Sequence, residues 1–388
     1  MKAPLTHALL LSLLATGSAK AITIPSDGSD GALSPTSDIV IDLSLATTGN
    51  WDDDNSGNAG NGIYDSEQWA VVFKYTSVNI PADVTVSFIN HPTHAPVVML
   101  VSGDVTIDGT LDISGEAGNT DTIEKLVSSE PGPGGFRGSA IGPDGAGDGY
   151  GPGGNTGSGE GLYGSVYGNP QIIPLIGGSG GGADGISGGG GGGAILIATP
   201  GNIDIDGTID ANGGISPSLY DPDGSGGAIR LIADSVTGIG ALTAIAPQST
   251  IGYGRIRIEA NSLDTSVQLA PDSVAVPPLE FPIIWPASDA PKVRVASVNG
   301  VTAPIDPEAP LQASADINIE SNSTVQVALE TTDFPISGVV EVRVVKKYGT
   351  SSWVTATYST GDFSQATWIA NVTFAPGFTT LQARATVP

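Results

Sequence analysis

Oxygen ligands are the first chemistry the sequence offers. The stretch Asp52-Asp-Asp-Asn-Ser-Gly-Asn58, followed by Asn61-Gly-Ile-Tyr-Asp65, alternates side-chain oxygens and reaches a glycine, as the opening of a calcium loop does. Asp52, Asp54, Ser56 and Asp65 are the candidate calcium ligands. An EF-hand loop wants a bidentate carboxylate at its twelfth position, and counted from Asp52 that place is Ile63, so Asp65 would have to serve in a different geometry. The same residue types also build solvated Asx turns, and both readings stand at this point.

Repetition supplies a second set. Asp104-Val-Thr-Ile-Asp-Gly-Thr-Leu-Asp-Ile-Ser114 aligns with Asn202-Ile-Asp-Ile-Asp-Gly-Thr-Ile-Asp-Ala-Asn212. If the two segments are neighbours in space, Asp108 lies near Asp206 and Asp112 near Asp210, at the strand spacing of about 4.8 Å. Carboxylates so placed are either screened by water or bridged by a divalent cation. Arg230 and Arg257 fall at equivalent outward positions of two further repeats, with Arg255 and Glu259 on the strand of Arg257. A guanidinium ladder beside carboxylates suits uronate or sulfate groups of a polysaccharide. In a lyase, Arg230, Arg257, Asp206 and Asp210 would be the catalytic set, an arginine acting as base. The competing reading is an exposed arginine pair balanced by the surrounding acidity. His91 and His94 sit in Asn90-His-Pro-Thr-His-Ala-Pro96 without a recognisable third metal ligand, which favours a turn role. The chain has no cysteine nucleophile, no Gly-x-Ser-x-Gly elbow and no phosphate loop, and its glycine runs satisfy Gly-x-Gly-x-x-Gly by abundance alone.

These residues need a scaffold, and the scaffold is repetitive. Apolar runs begin at Ala70, Pro96, Ala194, Ala228 and Arg255, at intervals of 26, 98, 34 and 27 residues. A period in the mid-twenties, made of alternating strands and Gly/Asn/Asp turns, is what one coil of a parallel β-helix needs, right-handed by the crossover rule. The interval of 98 is then one coil plus a glycine-rich insertion at about 119–193, and 28 of the 62 residues in 132–193 are glycine. A shorter insertion, 213–227, leaves from the same corner. Glycine at this density makes either mobile loops or extended segments packed side by side as polyproline-II-type helices. Helical character is weak and confined to residues near 121–128. Past Pro277-Pro278, residues 279–291 read as a linker, and 292–388 as a β-sandwich of immunoglobulin or fibronectin type. The fold class expected is therefore all-β: a right-handed parallel β-helix over 22–278, followed by a sandwich.

Composition sets the surroundings. Met1 and Lys2, the apolar run from Ala8 and Ala19-Lys20-Ala21 have the form of a signal peptide, residues 1–21, cleaved near Ala21. No later run is apolar enough to cross a membrane as a helix, so a secreted or outer-surface protein is expected. With no cysteine, stability has to come from burial, backbone pairing or bound ions. The net charge of −26 repels nucleic acid and anionic lipid and makes divalent cations the natural ionic partners, while the plainer reading is that it keeps an extracellular protein solvated.

Residues 40–275 carry a resemblance. Trp69-Ala-Val-Val-Phe-Lys-Tyr75, Asn90-His-Pro92, Gly103-Asp-Val-Thr-Ile-Asp-Gly-Thr110, Gly192-Gly-Ala-Ile-Leu-Ile197 and Gly226-Gly-Ala-Ile-Arg-Leu231 resemble a large class of uncharacterised glycine-rich secreted β-helical proteins of environmental bacteria. In style the chain is also similar to phage and bacterial adhesins with glycine-rich receptor-binding tips. The resemblance implies an extracellular place and a β-helical fold, and carries no catalytic residues with it. The expected function is a non-enzymatic structural or adhesion protein, its stalk presenting glycine-rich loops to extracellular polysaccharide, matrix or other cell-surface components. The alternatives are a lyase or hydrolase acting on an acidic polysaccharide, and a purely structural matrix protein.

Overall fold

A computed structural model describes residues 21–120, 127–142, 145–154, 167–183, 186–217, 222–249, 251–308, 315–320, 324–347, 349–374 and 376–387. The signal segment and the helical character expected at 121–126 lie outside them. The regular secondary structure of the described residues is all β, apart from two single 3-10 turns at Leu43–Leu45 and Ser56–Asn58. No described helix is long and apolar enough to cross a membrane.

The five apolar runs become the strands Ala70–Ile80, Val97–Val101, Ala194–Ala198, Ala228–Thr237 and Arg255–Leu263 of a single sheet, each parallel to its neighbour. Register is continuous from Val71 through Val97, Ile195 and Ile229 to Ile256. A second parallel sheet takes one short strand from each repeat: Ile39–Asp42, Thr85–Ile89, Thr110–Asp112, Thr208–Asp210, Ala241–Thr243 and Gln268–Ala270. Alternating residues of the first sheet (Phe73, Met99, Ile195, Ile197, Ile229, Leu231, Ile258) point between the sheets and meet Val86, Leu111, Ile209 and Leu242 of the second in one core. The inserted 98-residue interval does not disturb the stacking, because the chain returns at Ala194 beside Val97.

The outward face of the first sheet is also buried. Val72, Val98, Leu100, Leu196, Ala198 and Ile232 form a second apolar layer with Ile22, Ile24, Trp51, Ile284 and Trp285. Segment 279–291 is therefore a strap and not a free linker: Thr23 N–H donates to Glu280 O at 2.8 Å, and the Trp51 and Trp285 rings stand 5.6 Å apart. Strands buried on both faces read as unbroken apolar runs, and Val97-Val-Met-Leu-Val101 is one.

Where they are described, the glycine-rich segments around 132–138, 177–181, 188–193 and 222–227 are closely packed backbones. Run 188–193 lies at the centre, and its hydrogen bonds repeat every third residue. Gly190 and Gly193 donate to Glu116 and Ile113, Gly189 and Gly192 donate to Pro222 and Ser225, and Gly191 donates to Phe136. Three residues per turn is the screw of a polyproline-II helix, which has no internal hydrogen bonds and turns all of its polar groups outward. Every position therefore faces a neighbouring chain and none has room for a side chain. A Cβ on Gly191 would stand 2.0 Å from Gly178 O, and one on Gly227 1.7 Å from Gly193 O. Segment 177–181 runs the other way alongside, Gly178 donating to Gly192 and Gly181 to Gly189.

The C-terminal part has two antiparallel sheets. Thr324–Thr332 is paired with Lys292–Val298 and Gln365–Thr373, and Val339–Lys346 with Trp353–Thr355 and Thr379–Thr386. Val327, Leu329, Phe334, Val340, Val342 and Trp368 share the core between them. Polar contacts dock this part on the rest. Tyr64 Oη donates to Asp306 at 2.6 Å, and the fully buried Asp148 carboxylate receives Arg343 at 3.2 Å together with the Ser351 amide.

The expected outcome of Gly191→Ala is a loss of ~3 kcal/mol or more in chemical unfolding, the cost of overpacking rigid backbone. The control is Gly57→Ala, where a Cβ meets nothing within 4 Å. It should change stability by less than ~0.5 kcal/mol.

Candidate functional site

The loop expected to hold calcium is organised by other means. Asp65, nearly fully buried, accepts from the backbone amides of Trp51 at 3.0 Å, Glu67 at 2.8 Å and Gln68 at 3.1 Å. Asp54 accepts from the Ser56 amide at 2.7 Å, which lowers its pKa. Asp52 and Ser56 are exposed. The organiser is Asp30: its carboxylate receives Asn55 Nδ2 at 2.6 Å, Gly60 N at 2.9 Å and Lys74 N at 2.7 Å. The cation at the loop is the Lys74 ammonium, 2 % exposed, bonded to Asp27 at 2.9 Å and to the Asp53 carbonyl. Of the four candidate ligands, Asp65 has both carboxylate oxygens engaged by backbone N–H donors, and Asp54 has one. Among the described residues, no group of three or more His, Asp or Glu is arranged to hold a metal. Sequence reasoning missed Asp30 and Lys74. The signal available was a lysine interrupting an apolar strand, Val71-Val-Phe-Lys-Tyr75.

The aspartate pairs are neighbours, as their alignment requires: Asp112 is the register partner of Asp210, and Ile107 of Ile205 brings Asp108 beside Asp206. Their oxygens reach to the following repeat. Asp206 accepts from Ile239 N at 3.1 Å, Asp204 from Thr237 Oγ1 at 2.8 Å, and Asp210 from Thr243 Oγ1 at 3.2 Å as well as Asn212 N at 2.8 Å. Burial, with Asp112 adding to it, raises the pKa of Asp210. Here the carboxylates act as rungs between repeats.

Arg230 and Arg257 are register partners on the outward face of the first sheet. Neither is an exposed pair. Arg230, 2 % exposed, sends Nε and Nη2 to Glu259 Oε1 at 2.9 and 2.7 Å, Arg257 sends Nε to the same oxygen at 2.8 Å, and Arg230 Nη2 also reaches Ile283 O at 2.8 Å. The strap that the sequence suggested as a linker covers them. The structure does not bring them together with Asp206 and Asp210, whose partners lie on other strands, so the lyase constellation is not assembled.

A groove of about 530 Å³ opens where the second sheet, the glycine segments and the C-terminal part meet. Its walls carry Phe88, His91, His94, Asp112, Glu116, Glu130, Arg137 and Glu308. The turn 91–94 is closed by His94 N–H to His91 O at 2.8 Å, and His94 O in turn receives Gly134 N–H at 2.8 Å, which ties the glycine segments to it. His91 stacks on Tyr64 at 3.9 Å and shares a hydrogen bond with Thr93 Oγ1 at 2.8 Å. Burial lowers its pKa. Burial, reinforced by the Arg137 charge 3.1 Å away, pushes His94 down to about 3. His94 is accordingly neutral and accepts from Arg137, while the ion pair is Arg137 with Glu130 at 2.6 Å. Neutral imidazoles beside several carboxylates make a lining of hydrogen-bond acceptors and donors, and the volume matches a sugar-sized ligand. The turn role expected for the histidines and their place at the groove are compatible.

Replacing Glu259 by Gln leaves two guanidinium groups around a neutral amide, and should cost ~3–5 kcal/mol in urea unfolding, the penalty of an uncompensated buried charge. For His94, an unfolded histidine binds a proton below about pH 6.5, whereas the folded one resists until about 3. Its contribution is thus complete above 6.5 and declines as pH falls towards 3. Between pH 7 and 5 the loss should be about 2 kcal/mol more in the wild type than in His94→Gln. Comparison with protein-family models, with curated proteins and with solved structures finds no match.

Proposed function

We propose that this chain is a secreted or cell-surface protein of structural and adhesive role, non-enzymatic, that holds glycan at the groove beside His91 and His94. In this reading the parallel ladders are the coils of a right-handed β-helix, the glycine segments are a rigid body grown from one corner of it, and the C-terminal sheets form an immunoglobulin-like module. The signal-like start of the sequence supports export, and the resemblance to glycine-rich secreted bacterial proteins supports the same place. The observation that carries the reading is the groove itself. Three separately built parts of the molecule contribute walls to it, and those walls offer neutral imidazoles, amides and carboxylates, the groups that bind sugar hydroxyls.

The geometry favours binding over catalysis. The residues that a lyase would use are divided between the strap-covered cluster at Glu259 and the rungs of the second sheet. In the groove, Glu130 is held by Arg137 and His94 is engaged by the same guanidinium.

Purified protein starting at Ile22 should bind a subset of an immobilised glycan array while releasing no unsaturated or reducing sugar from acidic polysaccharides. Phe88→Ala together with His91→Ala, compared at an unchanged unfolding midpoint, should reduce the groove-dependent binding at least ~10-fold. Sugar release at enzymatic rates would transfer the function to the carbohydrate-active class, and absence of all binding would leave a purely structural role.

A further inference from the structure

The chain has seven arginines among 14 basic residues, against 40 acidic ones. Six of the seven are bonded to carboxylates: Arg137 to Glu130, Arg230 and Arg257 to Glu259, Arg294 to Glu330, Arg343 to Asp148, and Arg384 to Glu341. Arg255 is the exception. Among the described residues its side chain has no hydrogen bond and no ion pair, and its Nε is buried without a partner. With so many acidic groups available, leaving one half-buried guanidinium unpaired is costly unless something outside the chain completes it, because a desolvated charge loses hydration without compensation.

Its position is built and not incidental. The guanidinium carbon stands 5.7 Å over the ring of Tyr167. That ring is fixed in turn, its hydroxyl donating to Gly177 O and its edge packed on Phe136 at 6.4 Å between centroids. The plane of the guanidinium lies against the backbone of Gly168, where φ is +90° and a Cβ would fall 2.5 Å from Nη1. The neighbouring Arg257 holds Pro170 O at 3.4 Å and keeps segment 167–170 beside the strand Arg255–Leu263. Cation–π contact orients the fork but does not neutralise it. Burial lowers the pKa of Arg255, with only Tyr167 acting in the opposite sense.

The geometry points to Arg255, framed by Tyr167 and Gly168, as a subsite for a single oxyanion, a carboxylate or a sulfate ester carried on a glycan. This rests on the glycan-binding function and specifies its ligand class. A planar fork of N–H donors suits a carboxylate or sulfate bidentately. The net charge of −26 sets the density of that anion. A densely charged polyanion would meet repulsion from the rest of the surface, whereas an isolated acidic group on an otherwise neutral chain is bound at short range, within a Debye length of about 8 Å at physiological salt.

The test uses matched glycans in three forms: neutral, with one uronate, and with one sulfate ester. Full-length mature protein at 0.15 M salt should bind the acidic members at least ~10-fold more tightly than the neutral parent, about 1.4 kcal/mol. Arg255→Met should abolish that preference, and so should Gly168→Ala, whose methyl displaces the guanidinium without removing its charge. Lys292→Met, an exposed cation elsewhere, should retain it. All variants are compared at unchanged unfolding midpoint, which separates a lost site from a lost fold. A uronate preference without a sulfate preference, or the reverse, identifies which oxyanion the fork accepts. Equal binding of neutral and acidic members by the wild type, or a preference that survives Arg255→Met, overturns the subsite and leaves glycan binding standing. Absence of binding to every member removes both.

Discussion

Backbone against backbone, with no room for a Cβ, is the contact on which this molecule rests. It recurs at the entry to three successive strands of the first sheet. Gly193, Gly227 and Gly254 each precede a strand of the first sheet, and a Cβ on Gly254 would stand 2.0 Å from Gly227 O. These three positions stack, so the chain enters each successive strand at the same corner and in the same register. The glycine segments extend that corner outward. Because a polyproline-II screw presents a different side at each of three successive residues, a central segment surrounded by neighbours can carry no side chain at any position, and the unbroken run 188–193 follows from that. Glycine pays a large entropy on ordering, and here hydrogen bonds to neighbouring segments of the same chain offset that cost.

Charge is arranged by the same logic of enclosure. The chain is strongly acidic, yet several of its cations are drawn inside: Lys74 under the N-terminal segment, Arg230 under the strap, Arg343 at the junction with the C-terminal sheets. Each is accompanied by a carboxylate and by backbone carbonyl or hydroxyl oxygens, as buried ions must be. Their effect is to specify which segment covers which face. Lys74 selects the loop near Asp53, Arg230 the carbonyl of Ile283, and Arg343 the otherwise inaccessible Asp148. The surface left over is negative, and Arg255 stands apart on it.

The groove shows what such assembly makes possible. Its imidazoles come from a proline-containing turn, its ion pair from the start of the glycine segments, and Glu308 from the approach to the C-terminal sheets. None of these segments encloses a volume alone. The histidine turn also bonds to Gly134, so the groove and the glycine body share a hinge of hydrogen bonds and should respond together to strain in either.

The β class, the stacking of five apolar runs and the neighbour relation of Asp112 with Asp210 were legible from residue types and spacing, since alternation and turn chemistry are local properties and repeats declare their own registry. The buried outer face was not foreseen: the runs read as alternating strands, although Val97-Val-Met-Leu-Val101 is apolar throughout. Tertiary structure decided the rest. Whether glycine-rich segments drift or pack depends on distant backbones meeting them on every side, and the Asp65 carboxylate meets the Trp51 amide across the loop. Arg230, Arg255 and Arg257 look alike in the sequence, and only the placement of Glu259, the strap and Tyr167 separates the neutralised pair from the unpaired cation. Hydrogen-bond satisfaction is a property of the whole enclosure around a group, and no run of neighbouring residues contains it.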